Sequence, residues 1–438
     1  GALFTMKSNS ISRIIVEAGG LAAQAGNPST MVELRGGTLW DDAQATSHNI
    51  YVPEGKSAAW QLSYTNYTAY SNWITGKGTL TIVPRNTVQR VRIIGNWSQF
   101  EGTIKHTNTG VILPLDMSSG MPNGTLDIAE GCTVSNVCKA YTIGKVTGKG
   151  SLIQPVADFQ SQAVVTGNNT WNIGNSWETG GDFTFEGKFS DGGGTNKCIF
   201  NKIGTCVMTV SGLSDNTGAT TVKEGELRLK SGGQLGKGSL TVQSGAILSG
   251  SNTASVPLVN SSVSIQRGGK LQIGQANQSK VVQINFGGKN VTLASGSTLA
   301  LAASRHATRT NTGAAYLSNI GTLNINATID IYVPATHTLA EGDSVIIWKD
   351  VTTVKGSPAL ASDVIDEEKG LHWDTTDLMN GILRVEYRVP SVINGVVEQP
   401  DEESTAVYDL NGRMVAEKLT PTLKKGFYIY KKKKIVVQ

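Results

Sequence analysis

The segment from residue 204 to residue 250 limits what this chain can fold into more than any other part of it. It contains apolar runs of three to five residues, and Gly, Ser, Asn or Asp separates each run from the next. Runs this short are too short for helices, and their borders are typical of strands joined by turns. The gaps are also too short for crossover helices, so the strands form either hairpin sheets or a coil in which strands stack.

A Gly-x-Leu or Gly-x-Ile element recurs along the chain and favours the coil. Each copy places a small residue just before a large apolar one. This suits a strand whose Gly turns a corner with positive φ and whose large residue enters the core. Asn-Gly and Asp-Gly pairs also occur, and because they favour two-residue hairpin turns, hairpins remain an alternative at those places. We therefore predict an all-β parallel solenoid, with copies of the element starting at Gly78, Gly102, Gly124, Gly150, Gly225, Gly238, Gly245, Gly269 and Gly321.

Five pieces of the same segment follow the order of a known repeat. They are VMTVSG, GATTV, GELRL, SGGQLGKG and SLTV, all between residues 207 and 242. In this order they resemble the autotransporter-associated β-strand repeat. The resemblance implies a right-handed parallel β-helix like the passenger domains of bacterial surface proteins, here over residues 1–389. Within it, the irregular spacing and crowded aromatic residues of 1–75 indicate either irregular rungs or an N-terminal cap.

The end of the chain divides into three further parts. In residues 340–389, GLHWDTT and GILRV resemble the closing cap of such solenoids, with Trp373 either a capping aromatic or a sugar-stacking residue. Residues 390–403 carry Pro and acidic residues and indicate a linker. In residues 404–438, YDLNGR and GFYI resemble the C-terminal sorting domain of secreted Bacteroidetes proteins. That resemblance implies a small antiparallel β-meander and export to the extracellular space or the outer-membrane surface.

Composition excludes several classes of function. The net charge is +4, but six lysines lie between Lys424 and Lys434, so the rest of the chain is slightly acidic and predicts no nucleic-acid partner. No apolar run is long enough to cross a membrane. The first ten residues lack an initiator Met and a signal peptide, so we expect a processed or excised piece of a longer secreted chain.

Cysteine and histidine are too sparse to predict a metal site or a cofactor. The four cysteines are two close pairs, Cys132 with Cys138 and Cys198 with Cys206, without the spacing of zinc ligands. Each pair could form a local disulfide, or its cysteines could be small buried free thiols, and the sequence does not choose between these two states. The acidic residues are scattered, and adjacent acids on one strand point to opposite faces, so no catalytic pair is predicted.

Aromatic and basic residues supply the candidate ligand contacts. Flat rings on a solenoid face stack on sugar rings, and aromatic residues crowd residues 60–73. A polar loop supplies two arginines that suit a uronate carboxylate, with a histidine between them. The alternatives are an N-terminal cap for the aromatic residues and plain surface for the loop. The candidates are Trp60, Tyr64, Tyr67, Trp73, Trp97, Arg305, His306 and Arg309.

These observations favour a structural or adhesion protein that contacts polysaccharide or host surface glycans. Two other functions are compatible with the same sequence features. One is a β-helical polysaccharide lyase or glycosidase whose active residues lie in the longer loops. The other is a carbohydrate-binding fragment of a larger enzyme.

Overall fold

The chain was analysed as a computed structural model. It describes residues 3–6, 11–23, 30–41, 48–62, 69–84, 92–153, 167–192, 195–230, 232–252, 255–274, 282–303, 315–333, 339–388, 406–420, 422–430 and 433–437. Over these ranges the regular structure is β-strand except for one turn of 3₁₀ helix, Leu378–Asn380. No helix within them is long and apolar enough to span a bilayer.

Sixteen parallel strands lie side by side in chain order and form one long sheet. Its strands are Leu3–Met6, Gly20–Ala23, Thr38–Asp41, Ser57–Leu62, Thr79–Pro84, Thr103–His106, Met121–Ile128, Ala140–Gly148, Asn169–Ile173, Cys198–Lys202, Thr220–Val222, Leu240–Val242, Ser262–Ile265, Val282–Leu293, Ala315–Ile325 and Trp348–Lys355.

Three shorter parallel sheets take the strands that lie between those of the long sheet. The four-stranded sheet contains Arg13–Val16, Met31–Leu34, Asn49–Val52 and Ile74–Gly76. The six-stranded sheet contains Ala69–Tyr70, Arg92–Ile93, Ile112–Leu115, Thr133–Asn136, Ser151–Ile153 and Lys188–Ser190. The eight-stranded sheet contains Phe183–Phe185, Val207–Val210, Glu226–Leu229, Ile247–Gly250, Lys270–Ile273, Thr298–Ala302, Thr328–Tyr332 and Ala359–Leu360.

The connections between these sheets follow one rule. Between consecutive long-sheet strands the chain adds either one strand to another sheet or two strands to two different sheets. We call each such pass a rung. The pairings between the named strands of the four sheets are parallel, as expected for strands that stack rather than form hairpins. The prediction of an all-β chain with long parallel sheets is confirmed.

The core lies behind these sheets, because alternate residues of each strand are buried. The large residue of the Gly-x-Leu element is fully buried at Leu80, Ile104, Leu126 and Leu227. Ile247 is an exception, because Ala246 and Leu248 point inward in its place. The phenylalanines of GGDFTFEGKF are also internal, and the rings of Phe189 and Phe200 stack with centroids 4.3 Å apart.

The glycines of this element serve mostly a different purpose from the one expected. Gly102 and Gly238 do not adopt positive φ. Instead, a Cβ at Gly102 would lie 2.0 Å from the Gly78 carbonyl oxygen, and one at Gly238 would lie 2.0 Å from the Gly218 carbonyl oxygen. Close approach of the preceding rung therefore requires these glycines, whereas Gly225, with φ of 65°, is a corner of the expected kind.

The chain divides into two compact units. The first comprises Gly1–Thr338, Ser344–Ser362 and Thr375–Arg384, and it contains the antiparallel pairing of Ser344–Ile346 with Ile382–Arg384. The second comprises Leu339–Asp343, Asp363–Asp374 and Val385–Gln438, and in it Val364–Asp366 pairs antiparallel with Leu371–Asp374.

The last strands confirm a small antiparallel module but not a meander. Met414–Ala416, Val407–Tyr408, Gly426–Tyr430 and Lys433–Val437 lie in that order across one sheet. In a meander Met414–Ala416 would lie between Val407–Tyr408 and Gly426–Tyr430. Here Val407–Tyr408 pairs directly with Gly426–Tyr430, so the second strand in sequence lies at the edge.

Candidate functional site

Two of the predicted ligand contacts, Trp60 and Trp97, are fully buried. Their ring centroids are 6.5 Å apart, and Tyr70 packs edge-on against Trp60 at 5.7 Å. The Trp60 Nε1–H donates to a carboxylate oxygen of Asp41 at 2.6 Å, and the Trp97 Nε1–H donates to the Asn72 carbonyl at 3.2 Å. These rings fill the core and present no surface to a ligand, so we drop both as candidate contacts.

Trp73 lies differently, because 55% of it is exposed. It directly precedes the strand Ile74–Gly76, and the Ile50 N–H donates to its carbonyl at 2.7 Å. The backbone under the ring is therefore part of the four-stranded sheet, and the ring projects from a fixed base.

The outer face of the four-stranded sheet places Trp73 in a patch of mixed chemistry. Inward residues such as Val32, Ile50 and Ile74 are fully buried, so their neighbours point outward. Register pairs Arg13 with Met31 and Met31 with Asn49. It also aligns a second column from Ile15 through Glu33 and Tyr51 to Thr75. We define the Trp73 face as Arg13, Ile15, Met31, Glu33, Asn49, Tyr51, Trp73 and Thr75.

Three residues of this face, Trp73 among them, are apolar and exposed. Ile15 is 45% exposed and Met31 is 38% exposed, and Ile11, just before the first strand of this sheet, is 44% exposed. The other members of the face are mostly polar, so exposed apolar and polar side chains are mixed on it. Trp73 is its most exposed apolar residue.

A network of four charges orders one side of the Trp73 face. The Glu33 side chain is only 3% exposed, and its carboxylate accepts hydrogen bonds from Arg13 and, at 2.6 Å, from Arg35 Nε. Arg35 Nη1 also pairs with Glu17 at 2.9 Å. Hydrogen bonds from Arg13 and then Arg35 lower the pKa of Glu33. The four formal charges cancel, and Glu33 is held as an ionised acceptor.

This network does not suit glycoside hydrolysis on the Trp73 face. A glycosidase needs a second carboxylate facing the first, and one of the pair must hold a proton. The register neighbours of Glu33 in its column are Ile15 and Tyr51. The two arginines keep Glu33 ionised near neutral pH. The face can bind a ring by stacking and by hydrogen bonding, which needs no proton transfer.

Acidic residues within the predicted cap are paired with basic residues. Arg388 binds Asp363 and, at 2.5 Å, Glu386. His372 Nδ1 lies 3.8 Å from Asp363, and Lys369 binds Asp366 at 2.6 Å. Hydrogen bonding from Arg388 lowers the pKa of Asp363. These acids form surface ion pairs of the second unit. In the same unit Trp373 is buried and donates its backbone N–H to the Asp363 carbonyl at 2.7 Å.

The four cysteines are free thiols. Burial, followed by the charge of Asp116, raises the pKa of Cys138 to about 11, and burial also raises the pKa of Cys132. Raised pKa values disfavour the thiolate, so neither is an activated nucleophile. In the part of the chain that the structure describes, no three His, Cys, Asp or Glu residues come together as metal ligands.

The interior holds charged and polar groups that the sequence analysis missed. Lys202 is fully buried, and its ammonium donates to the carbonyls of Ile203 at 2.8 Å, Gly204 at 2.7 Å and Glu224 at 3.1 Å. Burial lowers its pKa. Glu224 belongs to the following turn of chain, so Lys202 joins two neighbouring rungs. The available signal was the spacing Cys198, Phe200, Lys202, which puts the lysine on the inward side of its strand.

The remaining candidates, Tyr64, Tyr67, Arg305, His306 and Arg309, lie outside the described residues. Their roles stay predictions. Searches of the chain against family models and against curated proteins returned no match. The Trp73 face is therefore interpreted from its geometry.

Proposed function

We propose that residues 3–360 form a right-handed parallel β-helix that serves as a rigid glycan-binding or adhesion scaffold. The chain would act outside a bacterium or on its outer surface, with residues 404–438 as a sorting-like module. The strand order across the long sheet and the glycines between rungs support the coil. The repeat motif in residues 207–242 and the C-terminal motifs support the location.

The observation that carries the binding role is the exposed Trp73 ring on a fixed strand. An exposed indole offers a flat apolar surface with a polar N–H at its edge, and such a ring is well suited to the apolar face of a sugar. Asn49 and Thr75 add amide and hydroxyl groups beside it, and the Glu33 network supplies guanidinium donors. This combination of a flat ring with polar neighbours is typical of carbohydrate recognition.

The test is a comparison of Trp73→Ala with Leu213→Ala. Leu213 is equally exposed, at 55%, but lies away from the four-stranded sheet, so it controls for the loss of an exposed apolar side chain. Wild type is first screened on a glycan array, and the best oligosaccharide is titrated by calorimetry. We expect Trp73→Ala to lose about fivefold in affinity, because ring stacking contributes about 1 kcal/mol. Equal binding by all three proteins would refute the Trp73 face as the site.

A further inference from the structure

A second surface of the same sheets has an unusual outward column. Register across consecutive long-sheet strands aligns side chains that are all Thr, Ser or Asn, and Lys355 ends the column. These residues are half-buried against one another, and Asn201 is nearly covered at 8%. We call the column the polar ladder: Thr142, Asn172, Asn201, Thr221, Thr241, Ser264, Thr292 and Asn324.

Strand propensity alone does not explain the polar ladder. The same rungs also present outward residues on the eight-stranded sheet, and there the composition is mixed. Register in that sheet aligns Glu226 with Ile247 and Ile247 with Lys270, and it aligns Arg228 with Ser249. These two columns carry both charges and an aliphatic chain, whereas the polar ladder carries neither over eight strands. Among the outward residues beside the ladder, Lys223 is charged and Ile199 is aliphatic.

The polar ladder is pre-ordered as a set of hydrogen-bonding groups. Asn201 Nδ2 donates to Asn172 Oδ1 at 2.9 Å, so these two members hold each other in place. The β-branched threonines have few rotamers to lose on binding. Neighbouring parallel strands are about 4.8 Å apart, so the eight members span roughly 34 Å. Each hydroxyl or amide both donates and accepts.

We propose that the polar ladder binds an extended, uncharged polysaccharide chain that runs along the direction in which the strands stack. The absence of charge on the ladder disfavours uronates and sulfated glycans, since these need basic partners. Sugar hydroxyls, like those of the ladder, both donate and accept. Single neutral hydrogen bonds contribute little, so affinity depends on many contacts in series along a long chain. This surface is separate from the Trp73 face and goes beyond the proposed function.

The experiment uses affinity gel electrophoresis with mixed-linkage β-glucan as the neutral polymer and polygalacturonate as the anionic one. The ladder variant is Thr221→Lys with Thr241→Lys. Its matched control is Thr209→Lys with Thr298→Lys, which adds the same charges to half-buried threonines on the eight-stranded sheet. We expect β-glucan to retard wild type, about tenfold weaker binding of β-glucan by the ladder variant, and no change in the control. Any retardation by polygalacturonate should not weaken in the ladder variant.

Further arms separate the alternatives. Thr221→Val with Thr241→Val keeps the side-chain volume and removes the hydroxyls, so we expect it to bind β-glucan more weakly as well. It serves as the test if circular dichroism shows that the lysine variant does not fold. Trp73→Ala should retain binding of the β-glucan polymer even if it loses binding of the oligosaccharide. Oligosaccharide binding therefore tests the Trp73 face, and polymer binding tests the polar ladder. Unchanged retardation of the valine variant, no retardation of wild type, or a dimer that the lysine variant dissociates would each overturn the polysaccharide assignment.

Discussion

His106 is an ionisable ring within an apolar column of the core. Register in the long sheet places it between Ile82 and Ile128, and Trp60 is the next residue along. The ring is fully buried, and Nε2 lies 3.0 Å from the Val111 carbonyl. Burial lowers the pKa of His106 below its usual value of 6.5. The fold therefore favours the neutral ring.

This burial predicts a loss of stability in mild acid. Between the lowered folded pKa and 6.5, the unfolded chain binds more protons at His106, so the free energy of unfolding falls as pH decreases through that window. Each unit of lowering contributes about 1.4 kcal/mol. In His106→Gln the amide can still donate to Val111, but it does not titrate. We expect urea midpoints at about pH 7 and about pH 5 to differ less in the variant than in wild type. The same difference in both proteins would contradict the prediction.

Some residue roles could be predicted from the sequence and others could not. Leu80 and Ile104 follow a Gly in the Gly-x-Leu element, and both are in the core as expected. Trp60 and Trp73 were equivalent in the sequence, because both lie in an aromatic-rich segment. Only the structure shows that the Trp73 ring is exposed, whereas the Trp60 ring is buried in the core. His106 and Lys202 are polar residues in columns that are otherwise apolar, so hydropathy does not predict their burial, although alternation along the strand places Lys202 on the inward side.

At the scale of the element, glycine sets how closely neighbouring rungs approach. Gly238→Ala would place its Cβ 2.0 Å from the Gly218 carbonyl oxygen, and backbone must shift to relieve that contact. We expect a loss of about 3 kcal/mol from overpacking. Gly245→Ala is the control, since its Cβ would meet nothing within 4 Å. It carries only the strain of a side chain at φ 78°, so we expect a loss of stability of about 1 kcal/mol. Chemical denaturation of both variants measures their free energies of unfolding. Equal losses would mean that contact between rungs does not explain the requirement for glycine at position 238.

Strand positions were the best-predicted elements. The pieces VMTVSG and GELRL contain the observed strands Val207–Val210 and Glu226–Leu229, because short apolar runs between Gly and Ser leave few other choices. The strand order of the C-terminal module was not predictable in the same way. Val407–Tyr408 pairs with Met414–Ala416 on one side and with Gly426–Tyr430 on the other, and turn residues alone do not specify this order.

At the scale of the first unit, contacts run mainly between adjacent rungs. Leu227, for example, lies in register with Met208 on one side and Leu248 on the other. In an architecture of this kind stability is close to a sum over neighbours, so damage in one rung spreads only a short distance.

Hydrogen exchange of Leu227→Ala tests this view of the first unit. Removing a fully buried leucine costs about 2–5 kcal/mol. We expect faster exchange in Val207–Val210 and Ile247–Gly250, the strands on either side, and unchanged exchange in Ser57–Leu62, many rungs away. Leu213→Ala, an exposed truncation, should leave all three peptides unchanged. Uniform acceleration in Leu227→Ala would instead mean that the sheets open as one cooperative body, and a rigid scaffold would then depend on every rung at once.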